Sequence, residues 1–284
     1  MDIARAAMIG DVVGQIGLEI LEAKLLPLIK EHKIDFVTVN GENAAGGFGM
    51  TEKDYLRIIA AGADVVTSGN HIWEKREFWA VLENEEKMLR PANYPPGTPY
   101  TTGIPGTGCA HVYKNGIDWF VVNLQGREMM NAVDCPFQCF DRLEDLYISK
   151  VDENHPLVFD DGDTTVPCAF PLVLVDFHAE SSREKEALSY HIDGRASLVA
   201  GTHTHVQTAD EKILPKGTAY ITDLGMTGIT DSVIGMDPDI CMNRFRKQVM
   251  YQMEVAPANS LGQMQGVIVD FNVRTGRAIS IRRI

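Results

Sequence analysis

Early in this chain, short apolar runs stop repeatedly at glycine-bearing polar clusters. Arg5 to Ile9 runs into Gly10-Asp11-Val12-Val13-Gly14. Phe36-Val37-Thr38-Val39 runs into Asn40-Gly41-Glu42-Asn43-Ala44-Ala45-Gly46-Gly47, and Asp64-Val65-Val66-Thr67-Ser68 into Gly69-Asn70-His71. Between the runs the apolar period changes. Ile20, Leu21, Leu25, Leu28 and Ile29 mark a helix over Leu18 to His32. Thr51, with Asp54 three positions on, caps a second helix carrying Tyr55, Leu56, Ile58 and Ile59. Strand, loop and helix in repeated order restrict the chain to an α/β layered fold. They also put each polar cluster at the C-terminal end of a strand, the sheet edge where α/β proteins form ligand sites.

The alternation breaks in the middle and then resumes. Arg90-Pro91-Ala92-Asn93-Tyr94-Pro95-Pro96-Gly97 is a proline-rich loop. Cys109 to Tyr113 and Asp118 to Asn123 flank Asn115-Gly116 and read as a hairpin. From about Gly126 to Pro171 the composition shifts to methionines and cysteines, a helix over Phe140 to Lys150 and the acidic loop Asp160-Asp161-Gly162-Asp163. We read residues 126–171 as a cap or insertion in a single domain spanning 1–284. Leu172 to Val175 is then a strand ending in Asp176-Phe177-His178-Ala179-Glu180, and Ser182 to Tyr190 is a helix. Ala196 to Ala200 leads into Gly201-Thr202-His203-Thr204-His205. Ala219 to Asp223 is another strand, and Gly266 to Phe271 with Ala278 to Ile281 form a closing hairpin around Arg274-Thr275-Gly276.

The formal charge of −13 argues against a protein that coats nucleic acid, so no strong nucleic-acid binding is expected. Nucleotides stay open, because bound metal ions supply local positive charge. No apolar run approaches about 18 residues, so no membrane span is expected. Met1-Asp2-Ile3-Ala4-Arg5 lacks the apolar core of a signal peptide. The 5 cysteines are scattered. Cys135 and Cys139 have no second Cys/His pair nearby and read as buried or loop thiols rather than a zinc site. Together these features point to a soluble cytoplasmic protein.

The polar residues at the strand ends are Asp11, Glu42, Asn43, Asn70, His71, His178, His203 and His205. Each alone has an ordinary reading: Asp11 as a helix N-cap, Glu42 and Asn43 as turn residues, His71 as a surface histidine. Their arrival at one sheet edge argues for a common role. Carboxylate, amide oxygen and imidazole together suit zinc, manganese or iron better than magnesium or calcium. The set is too large for one four-coordinate ion and suits two ions sharing a bridging carboxylate.

Gly69-Asn70-His71, the single His178 after a strand, and Gly201-Thr202-His203-Thr204-His205 resemble the G-N-H, H and G-H-x-H blocks of calcineurin-like metallophosphoesterases. That superfamily's first block is D-x-H, whereas Asp11 is followed by Val12-Val13. Its second block begins G-D, whereas Gly41-Glu42-Asn43 stands here. Both departures are the pattern of one branch, the bacterial YmdB-like metallophosphoesterases. Further blocks similar to that branch are Thr67 to Trp73, Arg90 to Pro95, Val175 to Glu180, Gly201 to Asp210 and Thr222 to Gly228. The acidic stretch from His155 to Pro167 is longer than the branch usually carries.

The resemblance implies a layered α/β/β/α sandwich with a small cap. It implies that Asp11, Asn43 and His205 hold one metal, that Asn70, His178 and His203 hold the other, and that Glu42 bridges them. Iron is the implied metal, with manganese or zinc as alternatives. His71 stays off the metals as the catalytic acid facing the substrate. The implied reaction is hydrolysis of a cyclic nucleotide, foremost a 2′,3′-cyclic one, by attack of a metal-bridging hydroxide. Nothing in the spacing of the residues selects that substrate over other phosphodiesters or monoesters, and homo-oligomerisation stays open. A competing reading is a metal-stabilised regulatory or RNA-associated protein with weak phosphoesterase activity. A binuclear amidohydrolase fits less well, because its barrel needs eight βα units and an H-x-H on the first strand.

Overall fold

The indole of Trp119 lies flat on the ring of Phe36, centroids 4.7 Å apart and planes 8° from parallel, and the two residues belong to different sheets. The computed structural model describes residues 3–95, 103–148, 171–258 and 261–284, with two short strands at 158–159 and 166–167. The strands are β1 (Ile3–Ile9), β2 (Asp11–Val12), β3 (Phe36–Asn40), β4 (Val65–Thr67), β5 (Cys109–Lys114), β6 (Ile117–Gln125), β7 (Val158–Phe159), β8 (Val166–Pro167), β9 (Leu172–His178), β10 (Leu198–Thr202), β11 (Lys212–Ile213), β12 (Ala219–Ile221), β13 (Met226–Ile229), β14 (Gly262–Met264), β15 (Gly266–Asn272) and β16 (Ala278–Arg283). The helices are α1 (Gly14–His32), α2 (Glu52–Ala60), α3 (Trp79–Asn84), α4 (Pro136–Leu143), α5 (Ser182–His191) and α6 (Pro238–Lys247).

One sheet has the order β16-β15-β1-β3-β4 and the other β11-β12-β10-β9-β6-β5. Their inner faces meet over Ala6, Met8, Phe36, Trp119, Val121, Leu174, Leu198, Val269 and Phe271. On the outer face of the first sheet α1, α2 and α3 bury Leu18, Leu21, Leu25, Ile58 and Leu82. On that of the second, α4 and α5 bury Phe140 and Leu188. The layers are therefore α/β/β/α, as expected. β1, β3 and β4 run parallel, as do β6, β9, β10 and β12. Parallel strands covered on both faces read as continuous apolar runs, which is why Phe36–Asn40 is buried at every position.

β6 and β9 are adjacent and parallel, paired from Trp119↔Leu172 to Gln125↔His178, so the chain crosses over between Gln125 and Leu172. The acidic stretch from His155 to Pro167 lies largely outside the described residues. β7 and β8 pair antiparallel within it.

Local chemistry explains the edges. Thr51 and Asp54 form the expected capping box of α2. Asn115 and Gly116 take φ of 56° and 76°, the left-handed pair that a two-residue hairpin turn requires. Two helix boundaries differ from expectation. α1 starts at Gly14 rather than Leu18. Its first turn is glycine-rich because a Cβ on Gly17 would lie 2.4 Å from the Thr227 carbonyl oxygen of β13, so no apolar period marks it. α4 starts at Pro136 rather than Phe140, with proline in the first turn, where its missing N–H costs nothing. It then passes into a π-helical segment, Glu144–Ile148. α6 was not expected. Cys241 is its one buried residue, so it has no apolar stripe to read. Among the described residues no helix is long and apolar enough to cross a membrane.

Candidate metal centre

The C-terminal ends of the parallel strands in both sheets bring the polar clusters together. Asp11 follows β1, Glu42 and Asn43 follow β3, and Asn70 and His71 follow β4. His178 ends β9, and His203 and His205 follow β10. Two glycines make the convergence possible. A Cβ on Gly69 would lie 2.1 Å from the His178 ring, and one on Gly201 would lie 1.8 Å from the Thr222 carbonyl oxygen. The turn after Gly201 is contorted, with His203 at φ 99° and His205 at φ 63°, conformations that L-residues adopt at a cost. Asp223 holds that turn, accepting from Thr204 N at 3.2 Å, Lys185 Nζ at 2.8 Å and Gly225 N at 2.9 Å. His203 N also donates to Asp11 Oδ2 at 3.2 Å.

One half of the site centres on His178 Nε2. Glu42 Oε1 lies 2.9 Å from it, His203 Nδ1 3.0 Å and Asn70 Oδ1 3.2 Å. One ligand atom each from Glu42, His178 and His203 falls within 4.8 Å of the others. The remote ring nitrogens are occupied. His178 Nδ1 is 2.9 Å from Thr202 Oγ1, and His203 Nε2 is 3.2 Å from Glu180 Oε2. Binding the far nitrogen in this way turns the near lone pair towards the centre.

The other half holds Asp11, Asn43 and His205. His205 Nε2 is 3.9 Å from Asp11 Oδ1, while its Nδ1 donates to the Ile234 carbonyl at 2.8 Å. Asn43 donates its amide N–H to Gly47 O at 2.9 Å, and its main-chain oxygen accepts from Gly14 N at 2.9 Å. Asp11 Oδ1 and Asn43 Oδ1 are buried without a hydrogen-bond partner. Buried oxygens are ordinarily satisfied, so an orphaned carboxylate oxygen and amide oxygen mark where a cation fits.

The electrostatics agree with that fit. Burial pushes the Asp11 carboxyl well above its ordinary value, against the pull of His205 and His178. Burial acts on Glu42 in the same sense. There it is outweighed by the His178 charge and hydrogen bond and by the His71 N–H at 3.1 Å, which hold the carboxylate ionised. The two imidazoles split. Burial disfavours the charge on His178, but Glu42, Asp11 and Asp176 together raise its basicity. Burial, then the charge on His178, drives His203 far down. Two ring nitrogens 3.0 Å apart thus share a position for a single positive charge.

His71 takes a different place. Its ring is about a quarter exposed, packs edge-on against Phe48 with centroids 5.0 Å apart, and has Nδ1 3.5 Å from Glu74 Oε1. Every candidate is thus gathered at one edge, with His71 at the rim. Two supporting residues were not singled out from sequence. Asp176 accepts from Thr202 Oγ1 at 2.6 Å, from Asn40 Nδ2 at 3.0 Å and from the Thr67 hydroxyl. It lies two residues before His178 in β9, and the strand period of two puts both on the inner face. Asp223, two residues past β12, ties Lys185 to the histidine turn.

A model of the YmdB-like protein family matches residues 7–284. A 2′,3′-cyclic-nucleotide 2′-phosphodiesterase of Bacillus subtilis is 42% identical over 280 residues, covering 99% of this chain and 96% of that protein. The crystal structure of a hypothetical protein from Thermus thermophilus has a TM-score of 0.82 at 37% identity, covering 99% of this chain and 98% of that one. That of a novel phosphatase from Mycoplasma pneumoniae has a TM-score of 0.85 at 32% identity, covering 100% and 93%. The family match runs through every strand-end cluster that builds the site, and the chain belongs to the YmdB-like protein family.

Proposed function

We propose that the protein is a binuclear metal-dependent phosphodiesterase acting on cyclic nucleotides, foremost 2′,3′-cyclic nucleotides. The observation that carries the reading is the meeting of Glu42, His178 and His203, one ligand atom of each lying within 4.8 Å of the others. The orphaned oxygens of Asp11 and Asn43 supply the other half of the donor set. The substrate class follows the name of the B. subtilis relative. In this reading Asp11, Asn43 and His205 hold one ion, Asn70, His178 and His203 the other, and Glu42 spans both. Iron is the first choice, and the mixed nitrogen and oxygen donors also suit manganese or zinc.

When bound, two such ions supply charge neutralisation at the phosphate and a water acidified towards neutral pH. The chain supplies the rest. The His71 N–H holds one oxygen of Glu42 at 3.1 Å and leaves the other, 2.9 Å from His178 Nε2, facing the centre. His71 stands at the rim with Nδ1 turned to Glu74, so that the ring, when protonated on both nitrogens, would give its Nε2 proton to the leaving oxygen. Such positioned proton transfer contributes about 10²–10⁴-fold. The free thiols Cys109, Cys135, Cys139 and Cys241 accord with a cytoplasmic enzyme. We take the chain as one domain with residues 126–171 as its cap.

The test is elemental analysis of purified protein paired with turnover on a panel of cyclic and linear phosphodiesters. Two metals per chain and a preference for 2′,3′-cyclic nucleotides are expected. Protein that binds no metal under any reconstitution condition would overturn the reading. Glu42→Gln with full activity and bound metals would remove the bridging role, and unchanged turnover in His71→Ala would remove the acid.

A further inference from the structure

The core aromatic residues Phe36, Phe78 and Trp119 are fully buried, but a separate aromatic group beside the metal centre is not. Trp73 lies two residues beyond His71 in the same turn. Its ring meets Tyr94 edge to face at 5.1 Å and Trp79 at 6.4 Å, and Arg76 lies over the Trp79 ring at 5.7 Å. Trp79 is 36% exposed, and Trp73 and Tyr94 are half-buried.

This group is fastened to the metal-ligating strands. The Tyr94 hydroxyl donates to Gln125 Oε1 at 2.9 Å, and Gln125 is the register partner of His178. The neighbouring Asn93 is buried. It donates to Gln125 O and accepts from Gln125 N, both at 2.8 Å, so the loop carrying Tyr94 is clamped to the end of β6. Burial pushes the Tyr94 phenol up, and the nearby Glu42 carboxylate pushes the same way, which keeps the hydroxyl protonated as a donor. The aromatic group therefore borders the half of the site built from Asn70, His178 and His203.

We infer that Trp73, Trp79 and Tyr94 form the nucleobase subsite of the enzyme. The inference rests on the phosphodiesterase reading and extends it to how the nucleoside is held. A cyclic phosphate offers the metal centre little beyond its own charge, so discrimination must come from groups remote from the reacting bond. Partly exposed indole and phenol rings, held beside the candidate metal centre, offer what any base can use. Stacking on such rings tolerates changes of base and is worth about tenfold in affinity or more per ring. The subsite therefore selects for a base without strongly selecting which one. Arg76 over Trp79 leaves the outer end of the group able to meet a negative charge on a longer substrate.

The test compares two five-membered cyclic diesters on manganese-loaded protein: adenosine 2′,3′-cyclic phosphate, and glycerol 1,2-cyclic phosphate, which has no base. Trp79→Ala and Trp73→Ala are expected to lower kcat/KM for the adenosine substrate about tenfold or more, mainly through KM. Trp73→Phe, which keeps a π face, is expected to retain most of the activity. The loss for the glycerol substrate should stay within about twofold. Binding gives a second readout. Trp73 and Trp79 are two of only 3 tryptophans, and Trp119 is in the core, so adenosine 3′-monophosphate should quench the fluorescence of the parent but not of a Trp73→Ala/Trp79→Ala protein. Equal losses for both substrates, or no quenching in the parent, would overturn the subsite. Quenching in a parent that cleaves no phosphodiester would keep the subsite and overturn the phosphodiesterase reading.

Discussion

The Thr202 hydroxyl stands 2.9 Å from His178 Nδ1 and gives its own proton to Asp176 Oδ1 at 2.6 Å. A hydroxyl has one proton, so with Asp176 taking it, Thr202 accepts from the imidazole N–H. That keeps a proton on His178 Nδ1, so loss of the ring's other proton on metal binding would free the Nε2 lone pair beside Glu42, Asn70 and His203. Thr202→Val keeps the shape and removes the relay, leaving Asp176 Oδ1 and the imidazole N–H buried and unpaired. The expected stability loss is about 1–3 kcal/mol. On the proposed binuclear reading, affinity for the metal held by His178 should fall about 10–100-fold. Metal titration by calorimetry reads the second effect, and Thr202→Ser should recover most of it. Parental affinity for both metals in Thr202→Val would show that the relay does not orient His178.

Gly69 gives way to His178 in a tighter sense. A methyl group there would lie 2.1 Å from Cδ2 and 2.3 Å from Nε2 of the imidazole, far inside contact distance. Gly69→Ala must therefore displace either the loop carrying Asn70 or the ring itself. A displacement near 1 Å at a reacting centre costs about 10²-fold in rate. The variant should bind one metal instead of two by elemental analysis and lose about that much turnover. Retention of two metals at parental turnover would mean that the loop relaxes without moving a ligand.

How much of this was legible in the chain differs by layer. The parallel strands announced themselves, because burial on both faces makes each a largely apolar run with its polar residues collected at the end. The Thr51–Asp54 box and the Asn115–Gly116 turn were equally direct, since each rests on a local backbone requirement. The glycine-rich start of α1 and the whole of α6 were not. In the first, close approach to β13 replaces the apolar stripe, and in the second only Cys241 turns inward. Within the site, Asp176 and Thr202 act through His178. For Asp176 the i, i+2 spacing to His178 was there to read, but Thr202, which links the two, is brought in by the sheet register alone, Thr202↔His178.

Lys185 and Asp223 form an ion pair at 2.8 Å with both side chains 1% exposed. Taking one partner away leaves a buried charge whose remaining support is two backbone N–H groups. Lys185→Met is therefore expected to destabilise by about 3–5 kcal/mol. In a chain of this size that corresponds to a fall in Tm on the order of 10 °C, read by calorimetry. On the proposed reading the variant should also bind metal more weakly, because Asp223 holds Thr204 between His203 and His205. An unchanged Tm would mean that water replaces the ammonium group.

Arg5 and Asp270 join β1 to β15 through a hydrogen bond of 2.5 Å, and Ser280 of β16 donates to the same carboxylate at 3.0 Å. The Arg5 hydrogen bond holds the Asp270 carboxyl below its ordinary value. A depressed folded-state value stabilises above the unfolded value of about 3.9, and the contribution fades as pH falls through the folded value. The pair is partly exposed, so its worth is about 1 kcal/mol at most. Asp270→Asn should be less stable than the parent by about that amount at neutral pH. The gap should narrow progressively below about pH 4, as read by urea unfolding. A gap that stays constant down to acid pH would assign the loss to packing instead.

Asp11 Oδ1 and Asn43 Oδ1, buried and unpaired, make metal removal a question of stability as well as of rate. An ion bound only by the folded chain adds about 2.7 kcal/mol when free metal is a hundred times its dissociation constant. Chelation confirmed by elemental analysis should therefore lower the Tm by about 5–10 °C, with recovery on adding manganese. Asn43→Leu removes the orphaned oxygen at similar volume, so its chelation-induced drop should be smaller than that of the parent. An Asn43→Leu protein that loses as much Tm on chelation as the parent would place Asn43 outside the metal sphere. A parent whose Tm does not change on complete metal removal would mean that the orphaned oxygens are satisfied by water, and that the site tolerates its own charges without a cation.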